Sequence, residues 1–210
     1  MKGSSQKFIN KIGVLLSYIF PYSLFVGGKK IKARIFSGYI KRQFNSVGEN
    51  FLIMSPINLH GGQYIEIGDN FGAGARLRIE AYDHFLNDQY SPKITIGNNV
   101  TINFDCHIGC INHIRIGNGV LIASKVLIID HFHGEIIPEA LKQQPLQRTL
   151  SSKGGIIIGD NVWIGESCAI MPGVKLGENC IVGSNSVVTK SFGANCIVAG
   201  NPARLIKHLE

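Results

Sequence analysis

The sequence predicts an all-β solenoid, short strands wound into stacked coils of triangular section behind a helical arm. Three observations carry that expectation. Aliphatic residues recur every six positions at Ile158, Ile164, Ile170, Leu176, Val182 and Val188, and upstream at Ile96, Ile102, Ile108 and Ile114. Small or β-branched residues mostly follow four places later, as at Val162, Cys168, Val174, Cys180 and Ser186. Turn triplets separate them: Gly-Asp-Asn at 68–70 and 159–161, Gly-Asn-Asn at 97–99, Gly-Glu-Asn at 177–179. A helical stripe recurs at three and four, so a strict six does not suit a helix. A short strand and a tight turn do suit it, since glycine and asparagine tolerate the positive φ of a corner. Three hexads close one coil, and stacked coils pair as parallel strands about 4.8 Å apart.

Residues 1–50 read as a basic, apolar helical arm. They hold nine of the 21 Lys/Arg and one of the 14 acids, so the formal charge of +7 belongs to the arm and not to the body. The uncharged run Ile12–Gly28 spans 17 residues and contains Pro21. That is short for a membrane span, and Lys29, Lys30 and Lys32 follow where a cleavage site would stand. An arm that packs, or lies on a surface, is the expectation. Its interleaved aromatics (Phe8, Tyr18, Phe20) favour an anionic membrane surface, met through residues 1–45, over nucleic acid. From Lys29 to Phe44 the apolar positions 31, 35, 36, 39, 40 and 44 predict a helical stripe.

The coiled body is expected over 51–200. It starts weakly at Ile67, Ala73 and Ile79, and slips by two residues before Ile116, Ile122 and Ile128. Excursions at 81–93 and 129–154 interrupt it, and a long excursion from a rigid scaffold usually carries function. Asn201-Pro202 reads as an N-cap with proline at the first helical position, which predicts a short helix over 201–210. The five cysteines form no paired framework and read as reduced thiols, with Cys106, Cys168 and Cys180 pointing inward. No metal site is expected. His107 and His113 belong on different faces of a coil, and the slip at 114–116 puts His113 and His131 at different places within their hexads.

The second excursion opens with Asp130-His131-Phe-His133. Taken with Asn103-Phe104-Asp105, Gly159-Asp-Asn-Val-Trp-Ile-Gly165, Pro172-Gly173-Val174, Gly183-Ser184-Asn-Ser186-Val-Val-Thr189-Lys190 and Ala199-Gly-Asn-Pro-Ala-Arg204, it gives a pattern over about 94–207. That pattern resembles the hexapeptide-repeat acyltransferases, in particular the galactoside, maltose and polysaccharide-cluster O-acetyltransferases. The resemblance implies a left-handed parallel β-helix and a homotrimer with active sites between subunits. It implies acetyl-CoA as co-substrate, no metal, and a sugar or glycan hydroxyl as acceptor.

His131 matches the family's general base, a role that suits imidazole because it is largely neutral near pH 7 yet basic. Asp130 is a candidate for substrate contact or for orienting that ring, with Glu135 as a rival orienter. Asn103 matches an acceptor-binding asparagine, though the residue type alone suits a corner equally well. Ser184, Thr189 and Lys190 match positions along coenzyme A, and Arg204 and Lys207 match positions near its phosphates. Trp163 suits a wall of the groove or a subunit contact. Glu166 stands where relatives often carry a small polar residue, so a contact through its backbone would survive the change.

Residues 1–60 do not look like the helical region that shapes the acceptor site in the sugar acetyltransferases, so no contacts carry over from there. N-acetylation of an amino sugar, and an inactive scaffold, are the competing readings. The expected location is the cytoplasm, with peripheral attachment at the inner membrane face as the alternative.

Overall fold

The computed structural model describes residues 2–135 and 137–209. Two helices, α1 (Lys2–Ile19) and α2 (Tyr22–Ile40), precede a parallel β-helix with three faces, A, B and C. Each turn of chain contributes one strand to A, one to B and one to C, and six complete coils stack in this way.

The six-residue recurrence is the cause. Ile96, Ile116, Ile158 and Leu176 lie in register along face A. Ala73, Ile102, Ile122, Ile164 and Val182 do so along B, and Ile79, Ile108, Ile128, Ile170 and Val188 along C. All point inward and nearly all are fully buried, each isoleucine contributing about 1.5–3 kcal/mol of burial. Backbone hydrogen bonds run between coils, as from Gly165 N–H to Val182 O at 2.8 Å.

At the corner between A and B the asparagines of the turn triplets take positive φ, 56° at Asn70, 57° at Asn99 and 56° at Asn161. Their side chains also bond from coil to coil, with Asn50 Nδ2 to Asn70 Oδ1 at 2.9 Å and Asn70 Nδ2 to Asn99 Oδ1 at 3.0 Å. At the corner between B and C the positive φ falls on Arg76, Asp105, Lys125 and Ser167, residues without glycine's freedom.

The structure corrects three expectations about the ends. The body begins before residue 51: Ser46–Val47, Leu52–Ile53 and Ile57–His60 form a first coil, with Val47, Ile53 and Leu59 already spaced by six. The C-terminal segment is not a helix. Ala203–His208 is a strand, paired antiparallel with Cys196–Gly200. The last coil would otherwise expose an unpaired strand edge, and the hairpin covers it, which outweighs a local capping signal. In α2 the apolar side chains at Ile31, Ile35 and Tyr39 face outward.

The face of α2 that packs on the first coil is Ala33, Ser37 and Ile40, with Phe36 half-buried beside them. Ser37 Oγ accepts the Ile53 N–H at 2.8 Å, which ties the helix to the open edge of the coil. Small residues allow that close approach. Helix α1 carries Phe8, Leu15 and Ile19 exposed, and Phe20 just after it is exposed as well. Among the described residues no helix is long and apolar enough to cross a membrane. All five cysteines are free and buried, and burial together with its neighbour Cys196 pushes the Cys180 thiol up to about 12.

Candidate active site

Both excursions leave from the end of face C, at the corner leading to A. Ile128 is still in register between Ile108 and Ile170, and the Asp130 N–H still bonds to Gly109 O at 3.2 Å. The chain departs immediately afterwards. His131 is therefore the first residue beyond the rigid coil.

The Asp130 side chain is wholly buried. Its Oδ1 accepts the Ile111 N–H at 2.9 Å and faces His131 Nδ1 at 3.1 Å. Its Oδ2 accepts the Asn112 N–H at 2.9 Å and lies 3.3 Å from Cys110 Sγ. The Cys110-Ile111-Asn112 corner holds the two extra residues of the slip, and here they supply donors for a carboxylate. With every acceptor direction used, Asp130 has no face left for a substrate, contrary to the expectation that it contacts one. It orients His131: a carboxylate can only accept, so Nδ1–H is held toward it and Nε2 is the ring nitrogen left outside that bond. Burial and the Asp130 charge push the Cys110 thiol far up, so it stays protonated and serves as a donor.

Beyond His131 the chain forms a stem, Phe132–His133 pairing antiparallel with Leu150–Ser151. The first excursion braces this stem. Tyr90 Oη bonds both backbone groups of Leu150, at 3.0 and 3.1 Å, and the Phe85 and His133 rings meet edge-on at 5.5 Å. His133 thus belongs to the packing of the loop. Glu135 is exposed beyond the stem, beside Phe132, Ser152 and Lys153 and not against the His131 ring.

A polar cluster on the outer side of face C went unread in the sequence. Glu80 is buried, receives Arg78 Nε at 2.7 Å and lies 3.3 Å from His107 Nε2. Tyr82 packs edge-on to His131 at 6.4 Å and against His60 at 4.8 Å. Alternation in Arg78-Ile-Glu80-Ala-Tyr82 is the signal that would have found it, because every second side chain shares a face. Burial would raise the Glu80 carboxyl, but the Arg78 and Tyr82 hydrogen bonds and the Arg78 and His107 charges hold it below 4.5. Burial, then the Arg78 charge, lowers His107 below 6.5 against the pull of Glu80.

Because folded His107 takes up its proton less readily than the unfolded chain, stability is complete above pH 6.5 and falls as pH drops toward the folded pKa. The Glu80 contribution is lost at still lower pH. Melting temperatures taken across about pH 5–8 should fall on the acid side, and His107→Gln should flatten the upper part of that fall. Gly109 separates the two imidazoles. A Cβ there would come 3.3 Å from both His107 Nε2 and His131 Cε1. Gly109→Ala should therefore shift His131 by a few tenths of an ångström and lower kcat about tenfold, with melting little changed.

The other expected site residues fall at separate places. Asn103 (half-buried), Glu166 and Ser184 stand at the BC corner, with Lys125 Nζ 3.4 Å from Glu166 Oε1. Trp163 is exposed on face B, in register between Leu121 and Ile181. Thr189 and Lys190 stand at the CA corner, the corner of His131, with Lys190 Nζ 5.6 Å above the Phe192 ring. Arg204 and Lys207 are exposed in the C-terminal hairpin beside face B. Within one chain, face C separates His131 from Asn103. Among the described residues, no group of three or more His, Cys, Asp or Glu is arranged to hold a metal ion.

Comparison with known proteins agrees with the repeat fold. The family described as bacterial transferase hexapeptide (six repeats) matches residues 155–190. A protein of Escherichia coli (strain K12) named "Putative lipopolysaccharide biosynthesis O-acetyl transferase WbbJ" is 36% identical over 160 residues, covering 74% of this chain and 78% of its own. The structure of galactoside acetyltransferase in complex with coenzyme A is 28% identical with a TM-score of 0.54, covering 88% of this chain and 82% of its own. A mutant of AntD, an N-acyltransferase from Bacillus cereus, solved with dTDP-4-amino-4,6-dideoxyglucose and coenzyme A, has a TM-score of 0.66 at 24% identity, covering 82% of this chain and 88% of its own. At that identity it supports the fold alone.

Proposed function

The chain belongs to the hexapeptide-repeat acyltransferases, and from that premise we propose that it transfers an acetyl group from acetyl-CoA to a hydroxyl of a sugar or polysaccharide precursor. The reading includes the family's left-handed coil, a homotrimer with each site between two subunits, and work in the cytoplasm. One observation carries it: a buried carboxylate holds His131 by Nδ1 at the point where the chain leaves the fourth coil.

His131 Nε2 takes the proton of the acceptor hydroxyl as the oxygen adds to the thioester carbonyl. The carbon–sulfur bond then breaks, and the imidazolium returns its proton to the departing thiolate. Asp130 stabilises the imidazolium between these steps. Both excursions, braced through Tyr90 and Phe85, cover the base and keep water from competing for the acyl group.

The separation of His131 from Asn103 across face C supports the shared site. A second copy would bring its BC corner, with Asn103, Glu166 and Ser184, against the first copy's CA corner, with His131, Thr189 and Lys190. The deciding experiment measures thiol release from acetyl-CoA with hydroxylated and aminated sugars. Release with hydroxylated acceptors is expected. Release with amino sugars alone would move the chain to the N-acetyltransferases, and release with neither would sink the reading.

A further inference from the structure

A cavity of ≈ 330 Å³ lies between α2 and the BC corner, away from the base of the same chain. One wall is Lys29 and Lys32 of α2, and the opposite wall is Met54, Ala75 and Phe104. That volume is in the range of small-ligand sites. We propose that this cavity binds the diphosphate of a glycosyl diphosphate, so that the acceptor is a sugar still carried on its nucleotide or lipid. This rests on the acetyl-transfer reading above and names the class of its acceptor.

The wall chemistry points to a phosphate. Lys29 and Lys32 are three residues apart, on one side of the helix. Among the described residues no acid lines the cavity, and the sequence has none before Glu49. Asp105, next to Phe104, is taken up by Arg76, whose Nη2 donates to it at 2.7 Å. Two ammonium groups over an apolar wall make a concave positive field, and a multiply charged diphosphate answers it.

Phe104 has 41% of its surface exposed and offers a ring beside the anion, the usual partner of a sugar's apolar face. Gly74 makes room for that ring, since a Cβ there would come 3.1 Å from Phe104 Cδ1.

Position along the axis agrees. Met54, Ala75 and Phe104 belong to the first, second and third coils, and Asn103 adjoins Phe104. His131 leaves the fourth coil, while Glu166 and Ser184 belong to the fifth and sixth. In a trimer with parallel axes, an acceptor held in the lower coils of one subunit meets the partner's base from below. Coenzyme A meets it from above. The exposed apolar residues of α1, with Ile31 and Ile35 of α2, border the same arm and suit a lipid carrier.

The test titrates UDP and farnesyl diphosphate, in separate arms, into the full chain saturated with CoA, so that the donor's own diphosphate site is filled. At least one probe should bind. Lys29→Gln/Lys32→Gln should weaken it tenfold or more for each charged hydrogen bond removed. Lys32→Arg should keep most of the affinity, and Phe104→Ala should leave probe binding largely intact but raise KM for the whole acceptor. Tighter binding of UDP assigns a nucleotide carrier, and tighter binding of farnesyl diphosphate a lipid carrier. Binding of neither probe, or equal binding by the double glutamine variant, overturns the proposal. The titration needs no turnover. Probe binding without acetyl transfer would therefore defeat the functional reading alone, and transfer without probe binding would defeat the diphosphate site alone.

Discussion

His131→Ala should leave coenzyme A binding unchanged and lower turnover by about 10²–10⁴-fold, the usual contribution of a positioned general base. Exposed residues at the BC and CA corners and the C-terminal hairpin are the candidates for holding the donor, and none of them packs through His131. His131→Ala also leaves Asp130 its bonds from Ile111 and Asn112, so the fold should persist. His133→Ala is the control. It removes a ring that packs on Phe85 and should cost far less activity. An inactive His133 variant beside an active His131 variant would exchange the two roles. Mixing His131→Ala with Asn103→Ala subunits extends the test to the assembly. If each site takes its base from one subunit and Asn103 from the next, random reassembly restores roughly a quarter of the sites. If both come from one chain, mixing restores none.

The body of the fold was legible because its cause is one-dimensional. A side chain that must point inward at every sixth residue leaves a period that no other packing erases, from Ile96 to Val188. The first coil carried the same period at Val47, Ile53 and Leu59, and even the triplet Gly48-Glu49-Asn50. It was missed because the charge gradient drew a boundary at residue 50 through its middle. The two other errors concern surfaces that only tertiary structure supplies. Asn201-Pro202 looked like a helix start until a strand edge lay beside it, and α2 displayed two faces of which packing chose Ala33, Ser37 and Ile40.

The site divides in the same way. His131 was visible because repeat register and loop coincide there. Glu80 and His107 were not, because their pairing depends on stacking two coils. Register brings His107 beside Arg78, and Gly109 beside Glu80, from positions distant in the chain. Asp130 was visible as a neighbour of the histidine. Its isolation from solvent depends on the donors of a corner three strands earlier, on the neighbouring coil, and no local pattern announces that.

Asp130→Asn should lower stability whichever way its amide turns, and rate in one of the two orientations. The carboxylate is buried and accepts from two backbone N–H groups, with the Cys110 thiol and His131 Nδ1 against it as well. An amide keeps the shape but offers one oxygen. Its NH₂ must face either the Asn112 N–H and the thiol, or the Ile111 N–H and the imidazole. The first orientation strands the Asn112 N–H and the second the Ile111 N–H, each a buried donor, at about 1–3 kcal/mol. The second turns a donor toward Nδ1, so the lone pair moves to the buried nitrogen and Nε2 carries the proton. A base in that tautomer cannot accept a proton from the acceptor. The first lowers the melting temperature with kcat largely retained. The second lowers kcat on the order of 10²–10⁴-fold with KM for acetyl-CoA unchanged, because the donor does not touch Asp130. Cys110→Ser distinguishes either result from general disturbance of the corner. It keeps a donor against Oδ2 and should preserve the rate. An Asp130→Asn enzyme with full kcat and an unchanged melting temperature fits neither orientation, and would mean that the carboxylate neither holds the corner nor selects the tautomer of His131.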